Sequence, residues 1–171
     1  MKLLLFLYAA LLISFQTSCA QPNDDLFTIY LVRHAEKDVS DKKNSDPALT
    51  PCGVKRAESL SVFFDQIALN NIYSSDYTRT RDTAKPTAQS KSKALILYNP
   101  GDLDSFSKEL LEKQEDALVV GHSNTTGVLA GLLSDQKIGS FDESIYNRIY
   151  QVVISKKTAQ MYVYHTSFSC E

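Results

Sequence analysis

The hydrophobic pattern divides the chain into a leader and a run of alternating elements. Residues 3–13 form an unbroken apolar stretch of 11 behind Lys2, the one charge in MKLLLFLYAALLISFQTSCA. That is short of the roughly 20 residues a bilayer-spanning helix needs. A cationic start, an apolar run and a small-residue end predict a secretory signal peptide over residues 1–20. Residues 21–26, opening QPNDD, read as a polar linker, and a domain follows over 27–171.

Within the domain, 27–32 (FTIYLV) is apolar and rich in β-branched residues, fit for a buried strand. Residues 37–49 are polar and predict a loop. Thr50-Pro51 reads as a helix start, Thr as N-cap and Pro at the first helical position. Behind it Val54, Ala57, Leu60, Phe63, Phe64, Ile67 and Ala68 recur at helical spacing. A second strand is expected over 71–74. A helix from Asp76 should stop near Lys85, because Pro86 disfavours helical backbone in the residue before it. Residues 94–98 read as a third strand closed by the turn Asn99-Pro100-Gly101. Leu103, Phe106, Leu110 and Leu111 give an amphipathic helix. Residues 117–120 read as a fourth strand, with a helix over 123–133. Residues 148–155 and 159–165 flank Lys156-Lys157-Thr158 as a terminal hairpin. Four strands alternating with helices predict an α/β fold: a three-layer sandwich, its central sheet mostly parallel, with helices on both faces. Ligands of such folds sit beyond the carboxyl ends of the strands.

Composition narrows the function classes. Subtracting the leader from 171 residues leaves 151, about one domain. The mature part has 17 basic against 20 acidic residues, and this mild acidity argues against a nucleic-acid partner. Six Gly and five Pro exclude collagen-like and low-complexity chains. Three Cys are too few for a disulfide scaffold. The leader's end allows two maturations. Cleavage after Ala20 would release a soluble protein. Alternatively Cys19 is lipidated and tethers the chain to a membrane. That segment resembles a loose lipobox, without the Leu that usually stands three residues before the Cys. Both place the protein outside the cytoplasm, in the periplasm or as an outer-envelope lipoprotein. Cys52 and Cys170 could pair in an oxidising compartment, or remain two independent thiols.

The candidate chemistry lies at strand ends. The first strand ends in Arg33-His34-Ala35-Glu36, the second runs into SSDYTR with Arg79, and the fourth ends in Gly121-His122-Ser123-Asn124. Two of the three His therefore border one crevice with two Arg. That is a cationic hole in an acidic protein, and its natural guest is a compact dianion such as phosphate. Arg grips phosphate with a planar fork, and the helix after His122 adds free N–H groups and a positive dipole end.

The segments LVRHAEK, YSSDYTRTRDTA and VVGHSN resemble, in order, the three blocks of the histidine phosphatase superfamily, which has the phosphoglycerate mutase-like fold. Asp46-Pro47-Ala48-Leu49-Thr50, with Gly53 and Arg56-Ala57, is similar to the family's DPxLTxxGxxRA stretch. The resemblance spans roughly residues 28–133. It implies a small exported member acting by a ping-pong mechanism on a small phosphorylated substrate, with no metal and no cofactor. His34 would be the nucleophile, its other ring nitrogen fixed by an acceptor. Arg33, Arg79 and His122 would bind the phosphoryl oxygens and stabilise their transition-state charge. Arg79 matches the family register; Arg81, roughly 200° further round a helix, should point away.

The family's general acid is a Glu or Asp after the third strand, or an Asp beside the second His. Ser123 and Asn124 stand in the latter place and read as helix caps, which leaves Asp102, or Asp104, after the third strand. Asp102 is the candidate acid. Glu36 and Lys37 read as solvated loop charges, and His165 as structural or exposed. Two other functions stay in view: a non-catalytic phosphate-ligand-binding envelope lipoprotein, and a mutase-like phosphotransferase. A metal hydrolase on His34, Glu36 and His122 is disfavoured, because no H-x-H or H-x-x-x-H spacing exists.

Overall fold

The structure, a computed structural model, describes residues 26–170. The leader, Cys19 and residues 21–25 of the linker lie outside them. The described residues form strands β1 (Phe27–Arg33), β2 (Asn71–Ser75), β3 (Leu95–Tyr98), β4 (Ala117–Gly121), β5 (Arg148–Ile154) and β6 (Ala159–His165). Between them run helices α1 (Pro51–Phe63), α2 (Thr78–Ser90), α3 (Leu103–Lys113) and α4 (Thr126–Ser134). The strands make one sheet in the order β3-β2-β4-β1-β5-β6. β1 pairs parallel with β4, and β2 parallel with β4 and β3. Both hairpin strands run antiparallel to their neighbours.

Alternation within the apolar runs explains the layers. Ile29, Leu31, Tyr73 and Val119 face one side, where Phe106 and Leu110 of α3 and Leu129 and Leu133 of α4 cover them. Val32, Ile72, Leu118 and Val120 face the other, against Leu60 of α1 and Ala84 and Ala88 of α2. The parallel strands read as continuous apolar runs because both their faces are buried.

Thr50 caps α1 as expected, its hydroxyl accepting from the Gly53 N–H at 3.0 Å. The helix stops at Phe63, however, and does not reach Ala68. Its buried stripe is Gly53, Arg56, Ala57 and Leu60, continued by Phe64, while Val54 and Phe63 are 46% and 44% exposed. Steps of three residues drift around a helix of 3.6 per turn, which carries those two off the buried face. α2 corrects the other boundary. It runs through Pro86 to Ser90, because Thr83, Ala84, Thr87 and Ala88 form a buried stripe on both sides of the proline. α4 begins at Thr126, with Thr125 as N-cap, so Ser123 and Asn124 form a turn ahead of the helix and do not cap it. Cys52 and Cys170 are joined in a disulfide, their Cα atoms 5.6 Å apart.

Candidate active site

The strand order sets the ends of β1, β4 and β2 side by side. Arg33 is in register with Gly121, Ser74 with Val120, and the His34 N–H donates to the Gly121 carbonyl at 2.9 Å. The rings of His34 and His122 consequently meet edge to face, their centroids 5.4 Å apart. His34 is 2% exposed. Its Nδ1 lies 2.7 Å from the Ala35 carbonyl oxygen, which can only accept, so Nδ1 carries the hydrogen and Nε2 keeps its lone pair. The Ala35 N–H in turn donates to Thr83 Oγ1 on α2 at 2.9 Å, fixing the turn that presents the imidazole. Gly53 lets α1 approach that turn: a Cβ there would stand 2.3 Å from the Glu36 carbonyl oxygen.

His122 is held on three sides. Its Nε2 is 2.9 Å from Ser75 Oγ, its backbone N–H donates to Thr125 Oγ1 at 2.9 Å, and its ring meets Tyr77 at 5.1 Å. Burial pushes the His34 pKa down to about 3; the Ala35 bond opposes this, and the Arg33 charge adds to it. Burial likewise lowers His122 to about 4, helped by Arg79, Arg33 and Lys37. Both imidazoles are therefore neutral at pH 7. A neutral ring with a free Nε2 is what nucleophilic attack by His34 requires.

The two arginines are held by different segments of the chain. The Arg33 guanidinium lies over the Tyr146 ring at 4.3 Å and donates through Nη1 to the Glu143 carbonyl. Arg79, at the start of α2, lies over Tyr77 at 4.5 Å. Asp46 orients it: the carboxylate accepts from the Thr78 N–H at 2.9 Å and from Arg79 Nη1 at 3.4 Å. Nε of Arg33 and Nε of Arg79 are buried donors without a protein partner. Buried cationic N–H groups left unpaired are costly, and an oxyanion is the kind of guest that pairs with them. Two clefts open on Arg79. One of about 380 Å³ is lined by Lys37, Asp41, Lys42 and neighbours, and one of about 250 Å³ by Tyr77, Pro100, Gly101 and His122.

Residues 29–99 match the family model of the histidine phosphatase superfamily (branch 1). The match runs from β1 to the turn after β3, which is less than half of the chain. Solved structures share its fold. The alpha-ribazole phosphatase from Shigella flexneri superposes with a TM-score of 0.68 at 14% identity, over 82% of this chain and 96% of that one. The protein histidine phosphatase SixA complexed with tungstate gives 0.67 at 12% identity, over 81% and 97%. A phosphoglycerate mutase from Bacillus anthracis gives 0.59 at 16% identity, over 81% and 92%. No curated protein matches the chain in sequence. The family match supports a phosphatase or mutase-like enzyme.

The structure corrects several readings of the superfamily motifs. Asp102 is the N-cap of α3, its carboxylate accepting from the Ser105 N–H at 3.1 Å. That bond holds its pKa below the usual carboxylate range. A general acid is helped by the opposite shift, so this bond favours the capping role of Asp102 over the acid role. Glu36 is no solvated charge: its carboxylate is bonded by Arg56 Nε at 2.9 Å and Nη2 at 2.6 Å. Arg81 does point away from Arg79, to an exposed pair with Asp76. His165 is exposed at the end of β6. Asp46, Ser75, Tyr77 and Glu143 border the site without having been marked by the sequence as working residues, and Tyr146, weighed there as a ligand contact or a packing residue, lies over Arg33. Asp46 had a signal, as the first residue of the DPxLT stretch. Glu143 and Tyr146 sit in a loop with no motif, brought to Arg33 from more than 100 residues away.

Proposed function

We propose that the protein is an exported phosphatase. It hydrolyses phosphomonoesters or related phosphoryl compounds through a phosphohistidine on His34. The observation that carries this reading is the pairing of a buried neutral His34, its Nε2 unbonded, with two buried guanidinium Nε donors that lack partners. Arg33, Arg79 and His122 bind the phosphoryl oxygens, His34 takes the phosphoryl group, and water then releases it as phosphate. The tungstate bound by SixA is an oxyanion of similar shape, which favours the same use of this site.

Hydrolysis is favoured over transfer by the short connections around the crevice. Only β3 and the turn at Pro100 separate the end of α2 from α3, too little chain to build a cap that would exclude water. Export is supported by the signal-like residues 1–20 and by the Cys52–Cys170 bond, since disulfides persist in oxidising compartments. The test is phosphate release from p-nitrophenyl phosphate by the full-length protein. His34→Ala is expected to lose it by at least 1,000-fold, on the order of a lost covalent route, together with any acid-labile phosphoenzyme. Mutase activity without hydrolysis, or hydrolysis that survives in His34→Ala, would refute the reading. Mass measurement of the native N-terminus distinguishes a lipidated Cys19 from cleavage after Ala20.

A further inference from the structure

The leaving oxygen of a phosphomonoester needs a proton, and three of the carboxylates near the crevice are otherwise engaged. Asp102 caps α3, Asp46 holds Thr78 and Arg79, and the Glu143 carboxylate lies 3.8 Å from Arg33 and 3.6 Å from Lys37. The buried hydroxyls behind His122 point to another source. Thr80 Oγ1 lies 2.8 Å from the Ser75 carbonyl oxygen and 2.9 Å from that of Tyr77. Carbonyl oxygens only accept, so such contacts require the Thr80 hydrogen to be directed at them. Ser75 Oγ is 3.1 Å from Thr80 Oγ1, and with the Thr80 hydrogen committed, the Ser75 hydrogen bridges that gap. Ser75 Oγ then has only lone pairs to offer His122 Nε2, 2.9 Å away, so Nε2 carries the ring hydrogen. Ser75 and Thr80 are both wholly buried, and no water competes for these bonds.

We propose that Ser75, itself oriented by Thr80, is a positioning residue that locks His122 in the Nε2–H tautomer, and that His122 Nδ1 carries the proton to the leaving group. The inference rests on the phosphatase reading above. The two imidazoles of the site are thereby in opposite tautomers. His34 keeps a lone pair on Nε2 for phosphorus, and His122 keeps one on Nδ1, which no hydrogen bond from the described residues occupies. The charges facing His122 are Arg79, Arg33, Lys37 and Glu143, with neutral His34 alongside. Burial, helped by three cations against one carboxylate, keeps the free ring neutral. A monoester monoanion brings its own proton on a phosphoryl oxygen. His122 Nδ1 accepts that proton as His34 Nε2 bonds to phosphorus and the ester P–O bond breaks. It then passes the proton to the departing oxygen. An alcohol leaves, the phosphoryl group stays on His34, and no outside acid is consumed.

The test reads the tautomer and the chemistry separately. Two-bond proton–nitrogen spectra of the full-length protein, with isotopically labelled histidine rings, are expected to show neutral His122 as Nε2–H and His34 as Nδ1–H. Ser75→Ala should leave His122 a mixture of tautomers. Its kcat on an alkyl phosphate, whose leaving group needs a proton, should fall tenfold or more. Its kcat on p-nitrophenyl phosphate should change less than threefold, and KM little on either. A structural defect would lower both rates together. Thr80→Val, close in shape, frees the Ser75 hydrogen to donate to Nε2 and should shift His122 toward Nδ1–H even if Ser75→Ala fails to fold. An active enzyme with His122 as Nδ1–H, or equal rate losses on the two esters, would overturn the lock and leave the phosphatase reading standing. A protein with His122 as Nε2–H that turns over no phosphomonoester would overturn the phosphatase reading and the proton-carrier role with it.

Discussion

A carboxylate near the crevice takes its role from what it bonds. Asp46 and Asp102 are both acidic residues in loops beside strand ends, and both accept from a backbone N–H in the first turn of a helix. Asp46 caps α2 from a distance and steadies Arg79 as it does so. Asp102 caps α3 and makes no bond to an arginine or histidine of the site. Asp102→Ala is therefore expected to lower stability by about 1 kcal/mol, the usual value of an N-cap, with kcat within twofold of wild type. Chemical denaturation and steady-state kinetics check the two halves. A kcat loss of a hundredfold would return Asp102 to the acid role. The residues with the strongest motifs, Arg33, His34, Arg79 and His122, were legible from the chain. Ser75 and Asp46 lay inside recognised blocks, yet their bonds to His122 and Arg79 depend on side-chain directions that spacing does not reveal.

Helix α2 bears on the site at the level of elements. It carries Arg79 in its first turn and Thr80 and Thr83 against the two histidine turns. Pro86 lies in its interior, removes one backbone N–H, and leaves the Asp82 carbonyl without its usual partner. The helix continues because the small buried residues Ala84 and Ala88 pack on the sheet beside Ile72 and Leu118. Packing energy thus outweighs a local preference that reads as a stop. Pro86→Ala should restore the missing bond and stabilise the protein by about 1 to 3 kcal/mol. A rise in Tm with unchanged kcat is the expected result. An unchanged or lower Tm would mean that the proline ring fills space the helix needs. Elements were legible where periodicity and tertiary packing agree, as in β1, β4 and α3. They were misjudged at α1 and α2, where the extent of burial decides the boundary.

For the whole molecule, the C-terminal tail is a structural member. The Cys52–Cys170 bond ties it to α1 across a sequence separation of 118, Phe168 lies under Arg56 at 4.7 Å, and the Thr166 N–H donates to the Asn147 carbonyl at 2.8 Å. Arg56 also holds Glu36, two residues after His34. The tail thus braces the base of the His34 turn and the loop bearing Tyr146. Cys170→Ser should lower stability by about 2 to 4 kcal/mol, the range for closing a long loop. Denaturation with and without reductant checks it, and equal midpoints would show that the bond does not form. The sequence by itself determined the order of strands and helices and the two-sided burial of the sheet. It also determined the residue types gathered at the strand ends, because these follow from periodicity and from the rule that parallel strands point one way. Only the tertiary structure decided that Cys52 meets Cys170, that Asp102 serves as a cap, and that loop 142–147 closes on Arg33. Those outcomes depend on distances between segments far apart in the chain, and no local pattern fixes them.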